Sequence, residues 1–291
     1  MPDHIIESLQ LGGHHTRSIA LDRDLHDESA IKNYLLTPNA IAALIQIAQG
    51  LANGNAQRAW KLVGPYGSGK SALGVIAAQL FSGQTQHPAA WQLLSKTVPK
   101  TAALFQDANR YPLVIVGARV SIGVALASAI NHALPSWKKN KFTTALKKHL
   151  NEEAGTYKGK PLNAVAGELV NDFAHASQAE GYQGTILLID EVGKFVEHAA
   201  LYPEYGDLIA LQQIAESACR ADDDKLVVVT MLHQHFASYA AGVGRALGDE
   251  WHKVASRFEE IPFDEPIERY AHFASHALGA KPSVLRNLSV K

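Results

Sequence analysis

Gly64-Pro65-Tyr66-Gly67-Ser68-Gly69-Lys70-Ser71 puts glycines, a lysine and a hydroxyl at a spacing suited to holding phosphate. Glycine lets the backbone wrap closely around phosphate oxygens with several N–H groups pointing inward. A helix that begins at the phosphates adds the positive end of its dipole. Lys70 is then placed for the β- and γ-phosphates and the Ser71 hydroxyl for Mg2+, with Ala72 closing the cradle. A second run, Ile186-Leu187-Leu188-Ile189-Asp190-Glu191, is apolar and ends in two carboxylates. A buried strand would bring Asp190 to the sheet edge, where it can hold magnesium directly or through water. Glu191 beside it can polarise a water for attack on the γ-phosphate. Taken singly, each run could be an ordinary glycine-rich or acidic turn. As a pair they specify a magnesium nucleoside triphosphate. The absence of an Asn-Lys-x-Asp run favours ATP over GTP.

These residues need a sheet and helices to position them. Trp60–Val63 reads as a short buried strand leading into the loop, and Ser71–Phe81 as the helix that leaves it. Further strands are predicted over Leu113–Val116, Thr185–Ile189, Leu226–Thr230 and Phe258–Pro262. Helices alternate with them, over about Ile122–Leu134 and Asp207–Arg220. Thr37 and Pro38 open an earlier helix as N-cap and first helical residue. Residues 83–109 read as a helical insertion, and residues 137–180 as helical with a break near Gly155–Pro161. Continuous apolar strands alternating with helices imply a parallel sheet covered on both faces. The expected organisation is an N-terminal arm and helix over 1–56, an ATPase core over 57–265, and a C-terminal helical tail over 266–291.

The two runs together resemble the additional-strand catalytic-glutamate class of P-loop ATPases, and their order resembles AAA+ proteins most. The resemblance implies a three-layer α/β fold with a parallel five-stranded sheet and helical insertions. It also implies ATP and Mg2+ as ligands, hydrolysis of the β–γ phosphoanhydride, and a homo-oligomer or larger complex formed through the ATP interface. In that class a polar residue after the fourth strand senses the γ-phosphate. The matching stretch, Thr230-Met231-Leu232-His233-Gln234, lacks the common asparagine. His233 is the first choice, then Gln234 and Thr230; an ordinary loop histidine, or a metal ligand together with His235, are the other readings. Arg257, directly before the fifth strand, matches an arginine that reaches a neighbouring subunit's ATP site. A cis contact or a plain helix-end charge are its alternatives.

Arg58-Ala59-Trp60, Asp190-Glu191-Val192-Gly193-Lys194-Phe195, Leu232-His233-Gln234 and Arg257–Phe263 further resemble the N-terminal ATPase module of large bacterial phage-defence ATP-binding proteins, BREX-type ATPases among them. Residues 266–291 are too few for a full AAA+ helical lid, so no lid arginine is assigned. A fragment, a truncated product and a reduced family member all fit that shortness.

Composition sets the outer limits. The chain has 291 residues, 47% hydrophobic and 19% charged, with a formal net charge of −1. That is ample apolar material for a core and gives no global reason to bind nucleic acid or anionic membranes. Lys138, Lys139, Lys141, Lys147 and Lys148 form a local basic cluster near Trp137 and Phe142; a solvated helix face is the plainer reading, nucleic-acid contact the alternative. Cys219 is the single cysteine, which excludes an intrachain disulfide and points to the cytoplasm. It shares a helical stripe with Leu208, Leu211 and Ala215 and reads as core packing. No apolar run approaches the ~20 residues that span a bilayer, and Met1-Pro2-Asp3-His4 does not open a signal peptide.

Overall fold

The computed structural model describes residues 18–32, 34–51, 57–220, 225–234 and 251–264. The tail over 266–291, the Asn53-Gly54-Asn55 helix stop and His235 lie outside the described residues. Helices are α1 (Leu21–Asp24), α2 (Pro38–Gln49), α3 (Lys70–Ser82), α4 (Pro88–Thr97), α5 (Pro99–Ala102), α6 (Ile122–Ala133), α7 (Lys141–His149), α8 (Ala166–Ala179), α9 (Val192–Leu201) and α10 (Asp207–Ala218). The main strands are β1 (Ala59–Val63), β2 (Arg110–Val116), β6 (Gly184–Asp190), β7 (Leu226–Leu232) and β8 (Glu259–Pro262); β3 (Leu150–Asn151), β4 (Thr156–Tyr157) and β5 (Lys160–Pro161) form a separate small sheet.

The main sheet has the order β2-β6-β7-β1-β8, and every neighbouring pair is parallel. β7 therefore stands between the strand that leads into the glycine loop and the strand that ends in Asp190. Burial explains why the central strands are apolar without a break: every residue of β6 and of β7 is buried. Their side chains alternate between two layers. Leu187, Ile189, Val228 and Leu232 pack under α6, α8, α9 and α10. Ile186, Leu188, Val227, Val229 and Met231 pack under α1, α2, α3 and α4. The result is the expected α/β/α arrangement around a five-stranded parallel sheet.

Local signals account for several boundaries. The Thr37 hydroxyl caps α2, accepting from the Ala40 amide at 3.0 Å. Asn140 and Thr143 form a reciprocal capping box at the start of α7. Cys219 is half-buried against the core, in keeping with the packing role expected of it.

Residues 137–180 keep the expected helices, as α7 and α8, on either side of a break that starts earlier than Gly155. Their middle forms the three-stranded antiparallel sheet β3-β4-β5. Gly155 (φ 63°), Lys158 (φ 49°) and Gly159 (φ 74°) are left-handed and turn the chain where a helix cannot continue. Strands of two residues leave no alternation to read. The little sheet is tied to α8: the Tyr157 hydroxyl donates to Asp172 at 2.6 Å, and Lys158 pairs with Glu168 and Asp172.

Candidate functional site

β1 ends at Val63, and the glycine loop begins where the exits of β7 and β8 close on it. The Gly64 amide donates to the Leu232 carbonyl at 3.2 Å, and the Phe263 amide donates to the Val63 carbonyl at 2.7 Å. A methyl group on Gly64 would sit 1.9 Å from the Phe263 carbonyl oxygen, so only glycine fits. Gly67 (φ 76°) and Gly69 (φ 91°) are needed for a different reason. Space around them is open, but their backbone is left-handed. Gly69 is the N-cap of α3, so the first amides of that helix face the loop's concavity.

Lys70 is buried inside this ring. Its Nζ donates to the Gly64 carbonyl at 2.6 Å, the Pro65 carbonyl at 2.7 Å and the Ser68 hydroxyl at 3.2 Å. Burial lowers its pKa from the ordinary lysine value, with the Asp190 charge opposing the shift. The next residue reaches the acidic strand. The Ser71 hydroxyl donates to Asp190 Oδ2 at 2.6 Å, across 119 residues of sequence. Asp190 is buried at the tip of β6, and its Oδ1 accepts from the Glu191 amide at 2.8 Å.

Glu191 is strained. It is a non-glycine residue at φ 49°, ψ 42°, and it caps the start of α9. Its carboxylate pairs with Lys194 on the first turn of that helix. Behind it, Gly117 follows β2 and donates its amide to the Asp190 carbonyl at 2.9 Å. A methyl on Gly117 would meet the Glu191 carbonyl oxygen at 2.2 Å.

His233 follows β7 at the same sheet edge and stacks on Tyr66, with ring centroids 3.4 Å apart and planes 22° apart. Burial pushes its pKa below the ordinary histidine value, and the Lys70 charge pushes it the same way. Gln234 faces a side cleft with His233. Thr230 does not reach the site; it is fully buried in β7, and its hydroxyl donates to the Trp60 carbonyl at 3.1 Å. Arg257 also lies apart, in an exposed pair with Glu216 of α10 at 3.1 Å. The basic cluster is exposed on and before α7, lines neither the glycine-loop cleft nor the side cleft, and its lysines make no ion pair among the described residues.

The loop, Ser71, Asp190, Glu191 and His233 enclose a cleft of about 610 Å3, with Ser18, Ile19, Ala20 and Leu21 on its rim. Those four residues belong to the N-terminal arm, to which no part in the site is assigned from sequence. Asp24 holds them there by accepting from the Ala20 amide at 2.9 Å. The Asp24 carboxylate four residues after Ala20 is a faint signal for such a turn. Nothing in the sequence marks Gly117.

The donors suit a hard divalent ion. Ser71 and Asp190 present oxygen ligands at hydrogen-bonding distance from each other. Among the described residues there is no group of three or more His, Cys, Asp or Glu that could hold a metal on its own. Mg2+ is commonly held in this way, by one or two protein oxygens plus substrate phosphates.

No protein-family model matches the chain, and no curated protein does. Among solved structures it is similar to PCH-2 from C. elegans, with a TM-score of 0.34 and 15% identity over 87% of this chain and 49% of that one. The chain thus spans about half the length of that protein. Among the described residues no helix is long and apolar enough to cross a membrane.

Proposed function

We propose that this chain binds ATP with Mg2+ and hydrolyses its terminal phosphoanhydride as an AAA+-like P-loop ATPase. One observation carries the reading: the Ser71 hydroxyl and the Asp190 carboxylate meet at 2.6 Å at the mouth of the glycine loop, although another strand separates theirs. That insertion of β7 is the feature named by the additional-strand class.

The roles follow from position. Amides from Gly67 to Ser71 and the α3 N-terminus hold the phosphates. Lys70 exchanges its bonds to the Gly64 and Pro65 carbonyls for phosphate oxygens. Ser71 and Asp190 hold the ion, which when bound offsets negative charge on the transferring phosphoryl group. Glu191 orients and deprotonates the attacking water. Arg257 serves the neighbouring subunit's site, where it stabilises developing charge, and this makes the active form a homo-oligomer.

Fluorescent-nucleotide titration of Lys70→Ala tests the binding claim. Loss of ATP binding in a folded variant is expected; unchanged affinity would remove Lys70, and the loop with it, from nucleotide recognition.

A second reading has its own support. The Glu191 carboxylate is engaged by Lys194, which suits a regulatory or scaffold module that holds ATP with little turnover. Turnover measured against protein concentration separates the two, since a trans-acting Arg257 makes rate rise with assembly. The later motif segments carry the narrower proposal of a cytoplasmic ATPase of bacterial phage defence, which neighbouring restriction, methylation or helicase genes would support.

A further inference from the structure

Three side chains form the wall between the phosphate cleft and a second cleft of about 320 Å3: Tyr66, Glu191 and His233 line both. Lys194, Glu197 and Gln234 line the second cleft alone. The wall is unusual in two respects. Tyr66 is 76% exposed, so core packing does not place its ring, yet the ring lies flat on His233. Both imidazole nitrogens of His233 are buried, and neither has a hydrogen-bond partner among the described residues. Buried polar atoms are ordinarily satisfied, and an orphaned pair is costly until a partner arrives.

We propose that Tyr66 is a positioning residue for terminal-phosphate recognition: its ring covers His233 until a nucleoside triphosphate displaces it and takes a hydrogen bond from the imidazole. The inference rests on the nucleotide reading of the loop and deepens it by naming what distinguishes triphosphate from diphosphate. The α- and β-phosphates are held by the loop amides and the start of α3. A third phosphate extends past Lys70 toward the edge where Glu191 and His233 stand. Tyr66 borders that path, since it lines the phosphate cleft together with Lys70, Glu191 and His233 and its ring covers the imidazole. Desolvation and the Lys70 charge lower the His233 pKa against the opposing pull of Glu191 and Asp190, and a neutral imidazole has one N–H to donate. A phosphate oxygen is the acceptor that satisfies it. Stacking needs the ring and not the hydroxyl, so phenylalanine substitutes for Tyr66 and alanine does not.

The test uses the full chain labelled with 3-fluorotyrosine, the Tyr66 resonance being assigned by its loss in Tyr66→Phe. In nucleotide-free protein that resonance is expected to be displaced by the imidazole ring, and to relax in His233→Ala. Magnesium with a non-hydrolysable ATP analogue should move the wild-type resonance to the relaxed position, and magnesium with ADP should leave it in place. Affinities give a second readout. Opening the stack opposes triphosphate binding, so Tyr66→Ala should raise the ratio of ATP to ADP affinity about 3- to 10-fold, the range of a lost aromatic stack. Tyr66→Phe should keep the wild-type ratio. Equal movement with both nucleotides, or equal ratio changes in the alanine and phenylalanine variants, would overturn the proposal. If both nucleotides bind and the resonance never moves, the covering role fails while the nucleotide reading stands. If neither binds the wild type, both fall.

Discussion

Replacing Gly117 with alanine perturbs the acidic strand without replacing any charged residue. Gly117 leaves β2 directly beside the tip of β6, in a register that pairs Val116 with Asp190. Its added methyl would lie 2.2 Å from the Glu191 carbonyl oxygen, 2.9 Å from the carbonyl carbon and 3.1 Å from Cβ. None of these atoms is the far end of a flexible side chain, so the Glu191 peptide must retreat. The first contact is more than roughly 1 Å short of ordinary van der Waals separation. Overpacking of this kind costs about 1–3 kcal/mol. At about 2–4 °C per kcal/mol for a domain of this size, melting should fall by roughly 2–12 °C. The catalytic effect should be larger. A misplacement of about 1 Å in a reacting group costs on the order of 10²-fold, so kcat should drop by about that factor. Nucleotide affinity should change little, because the glycine loop grows from β1, two strands away from β6. Steady-state ATPase assays, fluorescent-nucleotide titration and thermal melts would measure the three quantities. A Gly117→Ala protein with lowered melting temperature but wild-type kcat would refute the reasoning, since the peptide would have moved without consequence for the reaction.

Glu191→Gln should bind magnesium ATP with near wild-type affinity and lose turnover, whereas Asp190→Asn should weaken the magnesium-dependent part of binding; hydrolysis at the wild-type rate by Glu191→Gln would pass the role of base to another residue. Arg257→Ala should lower kcat and spare affinity, and mixing it with Lys70→Ala should restore part of the activity; co-assembled mixtures that stay inactive would confine Arg257 to its pair with Glu216. Asp207→Ala should destabilise the fold without altering nucleotide affinity, because Asp207 Oδ1 accepts from the buried Ile122 amide at 2.8 Å and from Asn163 at 2.9 Å. The orphaned Ile122 amide alone should cost about 1–3 kcal/mol, which a denaturant titration would show.

The candidate site was legible in the sequence wherever the residues proposed for it are consecutive. The glycine loop and the Ile186–Glu191 run announce themselves because strand, turn and functional side chains are contiguous. The strands were legible for a related reason: a sheet covered on both faces requires unbroken apolar runs, and β6 and β7 supply them. What escaped depends on contacts between distant segments. Gly117 is one glycine among 22 until its distance to Glu191 is known. The Ser18–Leu21 rim, Ser-Ile-Ala-Leu, is a short irregular stretch until Asp24 holds it against the cleft. The β3-β4-β5 sheet escaped because strands of two residues carry no period. The Tyr66–His233 stack joins a loop residue to a strand end and leaves no trace in local spacing.

Strand register divides the site into a fixed part and an adjustable one. Val63 pairs with Leu232 on one side and Pro262 on the other, Ile189 pairs with Thr230, and Val116 pairs with Asp190. The strands therefore end nearly level, and Gly64, Gly117, Asp190 and His233 all emerge at one edge, the carboxyl end of a parallel sheet, where such folds place their ligands. Their backbones cannot move without disturbing a ladder buried on both faces. Tyr66, Lys194 and Arg257 are different: each is exposed, and among the described residues each is held by one ring contact or ion pair. Exposed pairs contribute only about 0–1 kcal/mol, so a bound phosphate or an adjoining subunit can readily rearrange them. Under the proposed function, the sheet edge would set whether nucleotide and ion are bound, and the three exposed side chains would set when the bound nucleotide reacts. Substitutions in the first group should therefore change affinity or folding, or, as at Gly117, rate through a displaced backbone, and substitutions in the second should change rate and triphosphate selectivity in a protein that still folds and binds.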